Sequence, residues 1–295
     1  MLDLGSVYEG LAHRLQDECQ AESSFAGSST TEYMTTNKGI LVIKVGTDIL
    51  NNPLAFSVIA RQIAELKKEG FGVIVVSSGG VNAGSFRITV LGGNPEHYPK
   101  RLRAGIGARH LLNEWGEALS LSGYDVAQCY ITYGNLRLKG EKENIRANLR
   151  RLAFDPIVVP LVNENDIVSG VEIDKMNARK KRQNVDQGDN DRLGRVTACL
   201  VDAAGIAFVT VKGGVYTANP DTDPSAKLIK RIDAKRRYRS GKKHAGTSQN
   251  GTGGMPSKQN QACICARKGM RAGIIGFNDI SPFFRGEEVG TLVVV

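Results

Sequence analysis

From Lys38 onward the chain alternates short apolar runs, each ending in glycine or small polar residues, with longer segments of helical spacing. Ile40–Val45 is the first run and stops at Gly46; Val73–Val76 is the second and leads into Ser77-Ser78-Gly79-Gly80. Val126–Ile131, Ile157–Leu161 after Pro156, Ile206–Thr210 and Gly273–Gly276 repeat the pattern. Between them, Phe56–Lys68 sets Ile59, Ile63 and Leu66 on one helical face before Gly70. Leu102–Leu121, Glu141–Leu152, Asp191–Asp202 and Ser257–Lys268 read as further helices. Strands this uniformly apolar are buried on both faces, and strands separated by helices are joined by crossovers. The expected fold is therefore α/β: a three-layer αβα sandwich around a mainly parallel central sheet.

Composition narrows the function classes. A chain of 295 residues with 41% hydrophobic content buries a sizeable core and does not behave as a disordered one. No apolar run approaches the roughly 20 residues of a spanning helix, which excludes a helical channel or transporter. The cysteines Cys19, Cys129, Cys199, Cys263 and Cys265 are odd in number and form no C-x-x-C pair. They read as reduced thiols of an intracellular, cytoplasmic protein, and no metal site is expected from them or from the four scattered histidines. The net charge of +9 is concentrated: Lys227–Lys243 carries nine basic residues against Asp233 alone. Arg179–Arg182 forms a second basic knot. Without a zinc-finger, RNP-like or homeodomain pattern, these runs argue for a funnel toward a small polyanion over nucleic acid.

Residues 1–37 read as a separate, acidic extension: Val7, Leu11 and Leu15 suit a short amphipathic helix and Ser23–Asn37 a small-polar linker, but a partly disordered tail is favoured over a docking helix because short isolated helices are marginal. It lacks the charge of a mitochondrial presequence and the apolar core of a secretory signal.

In an open parallel sheet, ligands bind beyond the carboxyl ends of the strands. The segments at those ends are Gly46-Thr47, Ser77–Gly80, Asn163-Glu164-Asn165-Asp166, Lys212–Gly214 and the loop Gly251–Lys258. Glycine and short polar side chains let backbone N–H groups approach an anion closely. No G-x-G-x-x-G follows the first strand, and Gly251–Lys258 is not a G-x-x-x-x-G-K-[ST] loop. What remains is a phosphate site assembled from several separate loops.

Taken in order, VIKVGTDIL (Val42–Leu50), VVSSGGVNAG (Val75–Gly84), VVPLVNENDIVS (Val158–Ser169), GDNDRL (Gly188–Leu193), GGVYTANP (Gly213–Pro220), GTGGMPSK (Gly251–Lys258) and VGTL (Val289–Leu292) resemble the glutamate 5-kinases of the amino acid kinase family. They are also similar to the kinase half of pyrroline-5-carboxylate synthases. The resemblance covers about residues 38–295, with a substrate-side lobe near 38–187 and a nucleotide-side lobe near 188–295. No PUA domain is expected.

The resemblance implies transfer of the γ-phosphoryl of ATP, with Mg²⁺, to the side-chain carboxylate of L-glutamate, the first step of proline biosynthesis. It implies Lys44 and Lys258 as charge-neutralising catalytic residues, with Asp191 holding the two ammonium groups in place. Ser78, Gly79, Asn163, Asp166 and Asn190 fall on acceptor positions. Lys44, Gly46, Thr210, Val211, Lys212, Thr252, Gly253, Gly254, Met255, Pro256, Ser257 and Lys258 fall on nucleotide positions. It further implies a homodimer or homotetramer and functional coupling to a glutamyl phosphate reductase.

Read by itself, Asn163–Asp166 is as readily an Asx-turn cluster ordering a loop as it is a substrate motif. Three positions depart from the family pattern. Val211-Lys212 follows Thr210 where an acidic residue is usual, so that Lys212 is left as a phosphate contact. Gly80 stands for alanine, and Gly170–Gln187 separates two substrate motifs. The alternatives are a paralogous kinase of another small acid and a non-catalytic nucleotide or amino-acid sensor.

Overall fold

The computed structural model describes residues 37–168, 190–235 and 254–295. The amphipathic segment at Val7–Leu15, the Gly170–Gln187 segment with its Arg179–Arg182 knot and residues 236–243 of the basic run lie outside the described residues.

The central sheet has eight strands: β1 (Ile40–Val45), β2 (Gly72–Ser77), β3 (Asp125–Ile131), β4 (Val158–Glu164), β5 (Gly205–Val209), β8 (Arg231–Asp233), β9 (Arg271–Ile275) and β10 (Thr291–Val294). Their order across the sheet is β3-β4-β2-β1-β5-β9-β10-β8. All neighbours are parallel except β9 and β10. A separate antiparallel pair joins β6 (Val215–Tyr216) to β7 (Leu228–Ile229). The helices are α1 (Thr47–Leu50), α2 (Pro53–Lys68), α3 (Gly80–Val90), α4 (Lys100–Ser120), α5 (Lys139–Ala153), α6 (Asn190–Val201), α7 (Gly254–Ala266) and α8 (Ile280–Arg285). The expected αβα sandwich is the fold observed.

The pleat of β1 decides which residues meet. Leu41, Ile43 and Val45 point to one face and pack with Ile59 and Ile63 of α2 and Trp115 of α4. Ile40 and Val42 point to the other and join Leu193 and Ala198 of α6 and Ala262 of α7. Each such side chain contributes about 1.5–3 kcal/mol when fully buried. By the same alternation Lys44 follows Ile40 and Val42 onto the α6–α7 face. The next strand after β1 lies on one side of it and β5 on the other, so the end of β1 is the topological switch point where a crevice opens.

Several elements escaped the sequence pattern. Helix α3 was not expected, because its glycines and polar residues give no apolar stripe; its burial is of small residues, Gly80 and Gly84, with Ile88. Strand β4 runs three residues past Leu161, because Asn163 and Glu164 continue the ladder opposite Tyr130 and Ile131. Pro160 within it has no N–H to donate, and pairing with β2 is recorded only from Leu161 onward. The small elements α1, β6, β7, β8 and α8 were also unforeseen, being too short to show a period. Buried Gln62 ties α8 to α2: its Oε1 accepts from the amides of Ile280 (2.8 Å) and Ser281 (3.0 Å), and its Nε2 donates to the Phe277 carbonyl (2.7 Å).

Helices α3 and α4 cross at near backbone contact. A Cβ added at Gly84 would stand 1.7 Å from the Arg103 carbonyl oxygen, and one at Gly107 would stand 2.0 Å from that of Gly80. Neither obstacle is a flexible side-chain tip, so the helices would have to separate. Gly84→Ala should therefore cost about 3 kcal/mol, the upper end of the usual overpacking penalty. Gly140→Ala in α5, where the added methyl meets nothing within 4 Å, should instead stabilise by up to about 1 kcal/mol. Urea unfolding of the two variants against the wild type checks both signs.

Candidate active site

Asp191 lies in the first turn of α6, where the helix dipole favours a carboxylate. Its Oδ1 is 2.7 Å from Lys44 Nζ and its Oδ2 is 3.1 Å from Lys258 Nζ. The carboxylate is thus a bridge between a lysine on β1 and a lysine on α7. Burial is graded: side-chain exposure is 1% for Asp191, 4% for Lys44 and 16% for Lys258. Burial alone would raise the Asp191 pKa, but the Lys44 and Lys258 ammonium groups outweigh it and hold the carboxyl below the ordinary carboxylate range.

The lysine on β1 reaches Asp191 because α6 has no side chain in its path. A Cβ at Gly194, three residues beyond Asp191, would lie 3.0 Å from Lys44 Cγ and 3.1 Å from its Cβ. Gly46 lies beside the same ammonium, where a Cβ would meet Lys44 Nζ at 3.9 Å, an ordinary contact. Backbone and two ammonium groups therefore surround one cationic spot at the end of β1. Two positive charges and one negative leave a net positive centre that suits a polyanion.

The turn after β2 is held from below. Trp115, fully buried and edge-on to Phe56 at 5.1 Å, donates from Nε1 to Ser77 Oγ at 3.0 Å. Ser77 Oγ in turn donates to the Ser78 carbonyl at 3.0 Å, and the Ser78 amide donates to the Val45 carbonyl at 3.1 Å. Gly79 then takes φ +106°, a left-handed conformation that favours glycine, and starts α3.

Beside that turn is a cavity of about 200 Å³. One wall is polar, formed by Asn163, Glu164, Asn165 and Asp166 with Tyr130 of β3. The other is small and apolar, formed by Gly80, Ala104, Gly105 and Ala108, with Ile167. Side-chain hydrogen bonds do order this motif locally, though at spacings of one and three residues where an Asx-turn spans two: Asn163 Oδ1 accepts from the Glu164 amide at 2.9 Å, and Asn165 Oδ1 from the Val168 amide at 3.3 Å. The turn so ordered also faces the cavity, so the two readings coexist. Burial raises the Asp166 pKa, with Arg101 working in the opposite direction.

Of the residues singled out by sequence, Lys44, Asp191 and Lys258 meet, with Gly46 beside them. Asn163 and Asp166 share the cavity; Ser78 and Gly79 immediately precede its Gly80. Asn190 opens α6 next to Asp191. Gly254 (φ +52°) opens α7, followed by half-buried Met255 packed on the core, exposed Pro256 and buried Ser257. Thr210, at the end of β5, is buried and its amide donates to the Ile275 carbonyl at 2.8 Å. Val211 is exposed, and Lys212 Nζ pairs with Asp221. Thr252 and Gly253 lie outside the described residues. Sequence reasoning did not select Gly194, Trp115, Tyr130 or Glu164. Gly194 had a signal, a glycine inside a helix three residues from Asp191, while Trp115 had none because its partner Ser77 is distant in sequence. Among the described residues no cluster of three or more acidic, histidine or cysteine side chains could hold a metal, and no helix is long and apolar enough to cross a membrane.

Residues 39–276 match the amino acid kinase family, and the chain belongs to that family. The chain is 33% identical over 262 residues to glutamate 5-kinase of Azoarcus sp. (strain BH72), covering 86% of this chain and 67% of that protein. It is 35% identical over 264 residues to the Geobacter sulfurreducens glutamate 5-kinase (85% and 66%) and 34% over 240 residues to that of Vibrio vulnificus (78% and 59%). The chain thus spans about three-fifths to two-thirds of the length of these relatives. Among solved structures, isopentenyl phosphate kinase of T. acidophilum in a product complex matches with a TM-score of 0.55 at 15% identity, covering 86% of this chain and 99% of that one. Uridylate kinase of Archaeoglobus fulgidus matches with 0.53 at 16% identity, covering 87% and 100%. At such identities these two establish the fold.

Removing the bridging charge should strand two ammonium groups. Asp191→Asn is expected to destabilise by about 3–5 kcal/mol, the usual cost of breaking a buried ion pair from one side. Because the folded carboxyl has a depressed pKa, the difference should be complete above the unfolded value of roughly 4 and fade as pH falls through the folded value. Chemical denaturation of both proteins from neutral to acid pH reads this directly.

Proposed function

We propose that this chain is an ATP-dependent carboxylate kinase that phosphorylates the side chain of L-glutamate to give L-glutamyl 5-phosphate. The single observation that carries the reading is the buried Asp191 carboxylate holding Lys44 and Lys258 together at the switch point of the sheet. The likeness to glutamate 5-kinases over most of the chain supports the choice of acceptor.

The chemistry follows from charge. A carboxylate is already a nucleophile at neutral pH, so no general base is required. The obstacle is that an anion must approach a polyanion while charge spreads over the transferred phosphoryl oxygens. Fixed cations and positioning then supply most of the acceleration. In this reading Lys44 and Lys258 draw the phosphate oxygens to one point, and Asp191 keeps both ammonium groups aimed there before substrate arrives. Backbone amides near Gly46, Gly79 and Gly253-Gly254 cradle the remaining oxygens, with Thr210 to Lys212 on the nucleoside side and Met255 to Ser257 opening α7. Asn163, Asp166, Asn190 and Ser78 recognise the acceptor's amino and carboxylate groups.

The described residues fit a nucleotide's phosphates through this net positive centre. In this reading an Mg²⁺ ion is carried by the nucleotide's phosphates and keeps several of its own waters. Bound there, the ion would neutralise charge on the nucleotide. The acyl phosphate product is labile, so the reading includes a reductase that consumes it, together with a cytoplasmic location, a place in proline biosynthesis and a homo-oligomeric state.

A hydroxamate assay with ATP, Mg²⁺ and a panel of acids tests the proposal. Glutamate-dependent signal is the expected result; signal with another acid alone indicates a paralogous kinase, and none with any acid indicates a sensor. Lys258→Ala should lower turnover by about two to three decades, comparable to losing one transition-state donor. Unchanged turnover in that variant would remove Lys258 from the machinery.

A further inference from the structure

Position 105 is a glycine in the interior of α4, where alanine would favour the helix by about 1 kcal/mol. Its neighbourhood gives the reason. A Cβ there would stand 2.4 Å from Ile167 Cδ1 and 2.9 Å from Ile167 Cγ1, and outside the helix's own backbone it would meet no other atom of the described residues within 4 Å. Ile167 follows Asp166 directly, and both line the cavity with Gly105. The isoleucine is 62% exposed, so its burial is not what retains it. Its tip occupies the notch that the missing side chain leaves on α4, beside the turn carrying Asp166.

The space enclosed is about 200 Å³, below the ~300–1,000 Å³ of pockets for drug-sized ligands, so it suits a ligand of amino-acid size. Resting on the acceptor reading above, we infer that the Gly105 notch and the Ile167 side chain seated in it set the width of the acceptor cavity and so select the length of the acid it admits. Gly105 permits the turn to close; Ile167 decides how far. Both residues line the cavity, so the pair is expected to govern the acceptor and to leave the nucleotide's affinity unchanged.

The test uses the full chain and two probes, L-glutamate and L-2-aminoadipate, which is one methylene longer. Calorimetric binding of each acid is measured alongside hydroxamate kinetics. Gly105→Ala should raise the glutamate Kd and KM about tenfold while the ATP KM is unchanged, because the added methyl displaces the Ile167 side chain from its place beside the cavity. The double variant Gly105→Ala with Ile167→Ala should recover most of that loss, since Ile167 is the only obstacle among the described residues. Ile167→Ala alone should move the glutamate-to-aminoadipate preference about tenfold toward the longer acid, the scale expected for one methylene. Equal glutamate affinity in Gly105→Ala, no recovery in the double variant, or an equal rise in the ATP KM would each overturn the inference. If Gly105→Ala does not fold, the preference of Ile167→Ala decides alone, and an unchanged ratio overturns it. A wild type that binds neither acid yet binds ATP overturns the acceptor reading, and this inference with it. A wild type that binds glutamate but discriminates no differently from Ile167→Ala overturns the inference only.

Discussion

One carboxylate with two lysines constrains the rest of the site. Asp191 is almost completely buried, and a buried charge persists only when it is paired. Its two partners come from opposite ends of the described chain, one on β1 and one on α7. The bridge therefore fixes β1, α6 and α7 relative to one another as well as preparing a cationic point. Features that look unrelated serve the same contact: Gly194 clears the path for the Lys44 stem, Gly46 lies beside its ammonium, and the pleat of β1 turns Lys44 toward α6.

The cavity beside the Ser77-Ser78 turn has a different physical character. It is built by close backbone approach, with Gly80, Gly84 and Gly107 letting α3 and α4 meet, and by a turn, ordered by asparagine side chains, that brings four polar residues to the opposite wall. Trp115 supports the intervening Ser77-Ser78 turn from the core. Electrostatic preorganisation at one end and steric definition at the other are what an anion-transfer reaction between two bound ligands requires.

Much of this was legible in the linear pattern, and the reasons for what was not are specific. The long helices and apolar strands declared themselves because their periods run over several turns or residues. Helix α3 did not, because it buries glycine backbone and carries almost no apolar stripe. The end of β4 was read too short, since Asn163 and Glu164 are polar and a ladder pairing is not a property of one strand alone. Lys44 stood out as a charge inside an apolar run, and Asp191 and Lys258 through the motifs around them. Tyr130 and Ile167 carried no signal, because each matters only through what it faces.

The amino-acid order by itself determined the alternation of strand and helix, the glycine-rich strand ends and the set of charged residues available there, because these depend on local period and residue chemistry. Tertiary structure alone decided that Lys44 and Lys258 share one carboxylate, that Asn163 to Asp166 confront α4 across a cavity, and that Ile167 fits the gap at Gly105. Those relations join segments far apart in the chain, and their geometry is set by strand order, sheet register and helix crossing, which no local pattern encodes.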